Sequence, residues 1–222
     1  REDNMTEFER TFWQKRLEQC AESLSANNFL VYIAESISHA NDIFRKQIFK
    51  DLRIKSASWG DSLSLKATGI LDFLKSIDEL DFIDTFEPGI SRPESLERRR
   101  QALLVDLFLT GSNAVTEDGC LVNLDMVGNR IAGLTFGPHH VLLVIGRNKI
   151  VENVEAGMDR VRNFAAPLNA IRHEGWKTPC VKTSFCMDCK SPDRICNTWA
   201  ITRKSYPPGR IKILLVNQDL GL

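Results

Sequence analysis

The residues with the most evident chemistry are cysteines. The chain of 222 residues has six, and four of them, Cys180, Cys186, Cys189 and Cys196, stand between positions 180 and 196. The intervening stretches are five, two and six residues long. A CxxC turn offers two sulfurs to one centre, and the flanking cysteines can complete a four-thiolate shell. Such a soft donor set suits zinc or an iron–sulfur cluster. The stretch also carries Pro179, Asp188, Ser191, Pro192 and Asp193, which favour turns, and few core residues, so bound metal would supply its order. A zinc ribbon uses two CxxC pairs and only one is present. The uneven spacing therefore favours 4Fe–4S, with zinc as the alternative. Unrelated thiols and a redox-active Cys186–Cys189 pair are further readings, although the strand–CxxC–helix context of redox motifs is not evident. Cys20 and Cys120 read as core or surface thiols.

A second group of residues clusters at turns. Gly111-Ser112-Asn113 follows the apolar segment 103–109 and leads through Glu117-Asp118 to Gly119. Ligands of α/β sheets bind beyond the carboxyl ends of strands, so exposed amides and small polar side chains there could hold an anion. Glu117 could then act as base. The competing reading is a tight turn followed by an Asp-Gly hairpin. Gly60-Asp61-Ser62 makes a similar turn. Arg130 and Lys149 place cations at strand ends, where they could meet a phosphate or carboxylate or simply be solvated. The candidate ligand residues are thus Gly60, Ser62, Gly111, Ser112, Asn113, Gly119, Arg130 and Lys149. Neither G-x-G-x-x-G nor G-x-x-x-x-G-K-[ST] occurs. The four histidines form no triad or HExxH pattern, and no catalytic role is assigned to them.

These residues must be positioned by regular elements. Phe8, Phe12, Leu17, Cys20 and Leu24 recur near the helical period, predicting a helix over 5–26. Thr6 and Glu9 predict its capping box. Strands are expected at 29–33, 54–59, 81–86, 114–116, 121–124, 131–136, 141–145 and 211–216. Helices are expected at 36–52, 63–75 and 153–164, with 91–109 beginning as a helix and running into a buried segment. Early alternation of strands with helices argues for an α/β fold with a largely parallel sheet. The division expected is an N-terminal helix, 1–26, and one α/β domain, 27–222, that includes the Cys-rich loop 178–198.

Basic and acidic residues balance at 29 each, with 43% hydrophobic residues. That composition is globular and gives no overall attraction to nucleic acid. The run 141–145 is the longest apolar one, far short of the roughly 18 residues of a membrane span. The first twenty residues are charged and lack the apolar core of a secretory signal. Met5 is a candidate natural start, which would leave Arg1–Asn4 as added residues. A cytoplasmic protein with reduced thiols is the expected setting.

Longer motifs carry a resemblance. The stretch TGSNAVTEDGCLVNLDMVGNRIAGLTFGPHHVLLVIGRNKIV, residues 110–151, resembles the LUD domain family, the lactate-utilization proteins of the LutC/YkgG type. Thr178-Pro-Cys, CMDCKSPDRICN and the terminal ITRKSYPPGRIKILLVNQDLGL strengthen it, and the four-cysteine loop marks a subgroup. The resemblance implies a Rossmann-like α/β sheet with an extra small sheet, similar to glucosamine-6-phosphate deaminase, ribose-5-phosphate isomerase and CoA-transferases. Ligands of that superfamily sit over strand-end loops, matched here by 60–62 and 111–119. It also implies a redox-associated or accessory part in oxidising L-lactate to pyruvate, beside partner subunits that carry iron–sulfur clusters. Two alternatives stand against it. One is a stand-alone enzyme for a CoA ester, sugar phosphate or 2-hydroxy acid, with Glu117 as base or nucleophile. The other is an assembly protein with a structural zinc.

Overall fold

The computed structural model describes residues 5–222; Arg1–Asn4, read above as added residues, lie outside the described residues. The strands are β1 Leu30–Ala34, β2 Ser56–Trp59, β3 Asp81–Ile83, β4 Leu107–Thr110, β5 Ala114–Thr116, β6 Leu121–Asp125, β7 His140–Gly146, β8 Ile150–Val151, β9 Thr198–Thr202 and β10 Ile211–Val216. The helices are α1 Glu7–Ala26, α2 Ile37–Ile43, α3 Phe49–Asp51, α4 Leu63–Ala67, α5 Ile70–Lys75, α6 Arg92–Gln101, α7 Asn129–Thr135, α8 Val154–Arg160, α9 Ala166–Ile171 and α10 Pro179–Thr183. Wider π turns, Phe44–Ile48 and Val161–Ala165, join α2 to α3 and α8 to α9.

Six strands form a sheet in the order β1-β10-β7-β4-β2-β3, and each neighbouring pair is parallel. Strand β7 shows why. Leu142 and Val144 pack on one side of the sheet with α2, α4 and α5, while Val141, Leu143 and Ile145 pack on the other with α1. A strand covered on both faces is apolar without alternation, the signature of buried parallel sheets. The second sheet, β8-β5-β6-β9, mixes one parallel with two antiparallel pairs. One of its faces joins the α1 core through Val115, Leu121 and Ile150. The other packs Ala114, Val122 and Leu124 against Val161, Ala166 and Ala170.

The N-terminal helix has the expected capping box, with Thr6 accepting from the Glu9 amide and Glu9 reaching back to Thr6. Other expectations shift. The stretch 131–136, expected as a strand, is instead the end of helix α7. The Asp125 carboxylate accepts from the Arg130 amide, 2.9 Å, and the Ile131 amide, 3.4 Å, and so caps that helix against its own apolar composition. The expected helix at 63–75 is split by Gly69, which sits at φ +69° between α4 and α5. The expected strand at 81–86 ends at Ile83, and the expected helix from 91 stops at Gln101 before strand β4. Strand β9 falls where no strand is expected from the sequence.

Candidate functional site

Strands β2, β4 and β7 are neighbours, so the loops after their carboxyl ends meet. Two glycines make the meeting possible. A Cβ on Gly111 would stand 2.6 Å from Ser62 Oγ, and one on Gly60 would stand 2.6 Å from Arg130 Cγ. The resulting cavity has a volume of about 210 Å³ and is walled also by α7, α9 and the segment that follows α9. Of the residues expected at the site, Ser62, Gly111, Ser112, Asn113, Arg130 and Lys149 line it. Gly60 and Gly119 stand outside the lining and act through packing instead.

Lys149 is the most unusual of these. It is 5% exposed, and its Nζ donates to Ser64 Oγ at 3.0 Å and to the Ser112 carbonyl at 3.1 Å. Burial, followed by the nearby charges of Arg160 and Arg130, lowers its pKa to about 7. Arg160 is itself spent on carbonyls, those of Asn148 at 3.1 Å and Asn113 at 2.8 Å. Arg130 donates to the Leu124 carbonyl and lies 3.5 Å from an Asp125 carboxylate oxygen.

Sequence reasoning passed over several lining residues. Arg99 has its guanidinium 4.8 Å from the Phe86 ring centroid, and its buried Nε has no hydrogen-bond partner. In the sequence it sits in the run Glu97-Arg98-Arg99-Arg100, where nothing sets it apart from solvated neighbours. Asp61 binds Arg172, and His173 stacks on Trp176 with centroids 4.7 Å apart. Burial, with Arg172 beside it, lowers the His173 pKa. Asp61 was within reach, because it is the middle residue of the Gly60–Ser62 turn.

Glu117 is placed elsewhere. It sits in the turn between β5 and β6, its Oε1 is 2.6 Å from Arg16 Nη2 on α1, and it does not line the cavity. The Asp118-Gly119 hairpin is the local structure there, with Gly119 N–H donating to the Thr116 carbonyl.

The cysteine loop forms a second, smaller site. Cys180, Cys186, Cys189 and Cys196 line a single cavity of about 20 Å³. All four are free and partly exposed. Arg194 brackets the loop, donating to the carbonyls of Cys189 at 2.6 Å and Cys196 at 2.9 Å and to the Asp188 carboxylate at 2.7 Å. Burial, then the neighbouring Cys186, pushes the Cys196 thiol up to about 11. Among the described residues no group of three or more His, Cys, Asp or Glu side chains is arranged to hold a metal ion. The four thiols face a common space without forming a closed ligand shell. Ile195 lines both this cavity and the larger one, so the two adjoin there. Cys20 and Cys120 are buried in the body of the fold, as expected of bystander thiols.

The architecture is that of an α/β protein with a cavity over the ends of parallel strands. The LUD domain family model matches residues 17–216, and the chain belongs to that family. It is similar in fold to the crystal structure of a DUF162 family protein from Deinococcus radiodurans, with a TM-score of 0.52 and 15% identity over 92% of this chain and 98% of that one. The curated proteins include no match to it. Among the described residues no helix is long and apolar enough to cross a membrane.

Proposed function

We propose that this LUD-family chain is a redox-associated component of L-lactate oxidation to pyruvate. It would act in the cytoplasm beside partner subunits that carry iron–sulfur clusters. In this reading Cys180, Cys186, Cys189 and Cys196 hold a 4Fe–4S cluster, and the strand-end cavity takes a small anionic ligand. The observation that carries it is the shared lining residue Ile195, by which the pocket of the four thiols adjoins the larger cavity. The donor set is all soft thiolate, which fits a cluster. Burial, then the neighbouring cysteines, disfavours a bare thiolate at Cys196, and a bound cation would offset both. A cluster would supply one-electron transfer. The chain's own contribution is to hold the sulfurs through Arg194 and to position the ligand over β2, β4 and β7. Phe185, 70% exposed, and Met187, 63% exposed, flank the thiols and give a partner an apolar contact.

The small volume between the thiols favours a second reading. About 20 Å³ is little more than the room of one water-sized group, which suits a single zinc ion better than a four-iron cluster once the sulfurs draw in around it. Oxygen-free purification followed by iron, sulfide and zinc analysis decides between them. Iron and sulfide in stoichiometric amounts, lost in Cys186→Ser and Cys189→Ser, are expected. Colourless protein with stoichiometric zinc would replace the cluster with the staple. Folded protein that takes up neither metal overturns both.

A further inference from the structure

The strand-end cavity contains a reactive group that the redox reading does not use. We infer that Lys149 is a nucleophilic amine that captures the carbonyl of a small anionic ligand as an imine, with Arg99 on the wall of the same cavity to hold the anionic group.

The geometry of the amine comes first. A neutral amine has two N–H donors and one lone pair. Both donors have acceptors in place, Ser64 Oγ and the Ser112 carbonyl. The remaining direction is left for the lone pair. A charged ammonium would need a third acceptor. Among the described residues Lys149 has no carboxylate partner, and the charges acting on it are Arg160, from α8, and Arg130, from α7. Asp125 is taken by Arg130 and Asp61 by Arg172 and Lys66. A buried lysine without a counter-ion is driven to its neutral form, and the lowered pKa agrees. Desolvation beside other cations is a recognised way of activating a lysine toward carbonyls.

The cavity then restricts the ligand. Its volume of about 210 Å³ is below the range of roughly 300–1,000 Å³ that holds drug-sized molecules. The Arg99 Nε is buried without a partner, and its guanidinium rests on Phe86 rather than on a carboxylate. The rest of that guanidinium lines the cavity with no carboxylate partner among the described residues, and a ligand carboxylate or phosphate suits it. The ligand class is therefore a small carbonyl compound with one such group, either a 2-oxo acid or a short sugar phosphate.

The step balances without an oxidant. The Nζ lone pair attacks the carbonyl carbon, and the C=O π pair moves to oxygen. Both amine hydrogens pass to that oxygen, which leaves as water as the C=N bond forms. Ser64, in hydrogen-bond contact with Nζ and donating to the Leu220 carbonyl at 3.2 Å, is placed to relay a proton.

The test is reductive trapping. The full chain is incubated with pyruvate in one arm and glyceraldehyde 3-phosphate in the other, with cyanoborohydride, and the modified peptides are mapped by mass spectrometry. At pH 7 a group of pKa about 7 holds on the order of 10³ times more free amine than a lysine of ordinary pKa. A secondary amine on Lys149 should therefore form at least about tenfold faster than on exposed lysines. Its rate should rise through pH 7 and level off, and the adduct should be absent from Lys149→Met and Lys149→Arg. The arm that reacts identifies carboxylate or phosphate as the anchored group. No adduct in either arm, or labelling of Lys149 no faster than of surface lysines, overturns the inference. Chelator-treated chain should trap as untreated chain does, so failure of the metal reading leaves this result standing, and the reverse holds.

Discussion

Lys149 places a cost on the fold that is measurable apart from any reaction. In the unfolded chain its pKa is near 10.5, and in the folded chain about 7. Between those values the unfolded chain binds the extra proton, so this residue's penalty is relieved as pH rises from 7 to 10 and is constant below 7. Lys149→Met removes the penalty and keeps the volume. The variant is expected to melt above the unaltered chain at pH 7, with the gap closing toward pH 10. Thermal melts of the two across that range check it, and a gap independent of pH would contradict it. Glu117 makes the opposite case. Its ion pair with Arg16 is between side chains 29% and 27% exposed, and such pairs contribute about 0–1 kcal/mol. Glu117→Gln should lower stability by less than about 1 kcal/mol and leave Lys149 trapping unchanged, as chemical denaturation and the labelling assay will report.

The elements explain how far the sequence could be read. Strands β7 and β10 and helix α1 were legible because one physical effect dominates each: burial on both faces for the strands, an apolar stripe and a capping box for the helix. Helix α7 was not. Its apolar residues at 131 and 134 fit either period over so short a stretch, and the deciding contact is the Asp125 carboxylate at its first amides. The site divides the same way. The glycine-marked turns pointed to strand ends that border the larger cavity, and the four cysteines to one smaller cavity, because turn chemistry and thiol spacing are local. Arg99 and Trp176 reach the larger cavity only through tertiary packing, and Glu117 leaves it for the same reason. Gly119 shows what such packing demands. It has φ +83°, and a Cβ would lie 2.6 Å from the Ser23 carbonyl carbon and oxygen on α1. Gly119→Ala combines left-handed strain with a backbone collision. A loss of about 2 kcal/mol or more is expected in denaturant unfolding, with α1 loosened from the small sheet and its amides exchanging faster.

For the molecule as a whole, the two cavities differ in what holds them. The larger one is walled by loops rooted in the six-stranded sheet, whose cores on either face contain no residue of the segment 178–198. Among the described residues the cysteine loop joins the hydrophobic packing of the third core, through Cys180, Val181, Ile195 and Cys196. Its order therefore rests on that small contact, on Arg194, on hydrogen bonds such as Asn197 to the Met126 carbonyl, and on whatever its sulfurs bind, while the sheet folds on its own hydrophobic burial. Stripping metal from the loaded protein should then act locally. Limited proteolysis is expected to shift to cleavage within about residues 184–194, while far-UV circular dichroism and reductive trapping at Lys149 persist. Loss of the whole circular dichroism signal on metal removal would show instead that the loop is a keystone of the domain, and that the junction at Ile195 carries stability between the two halves.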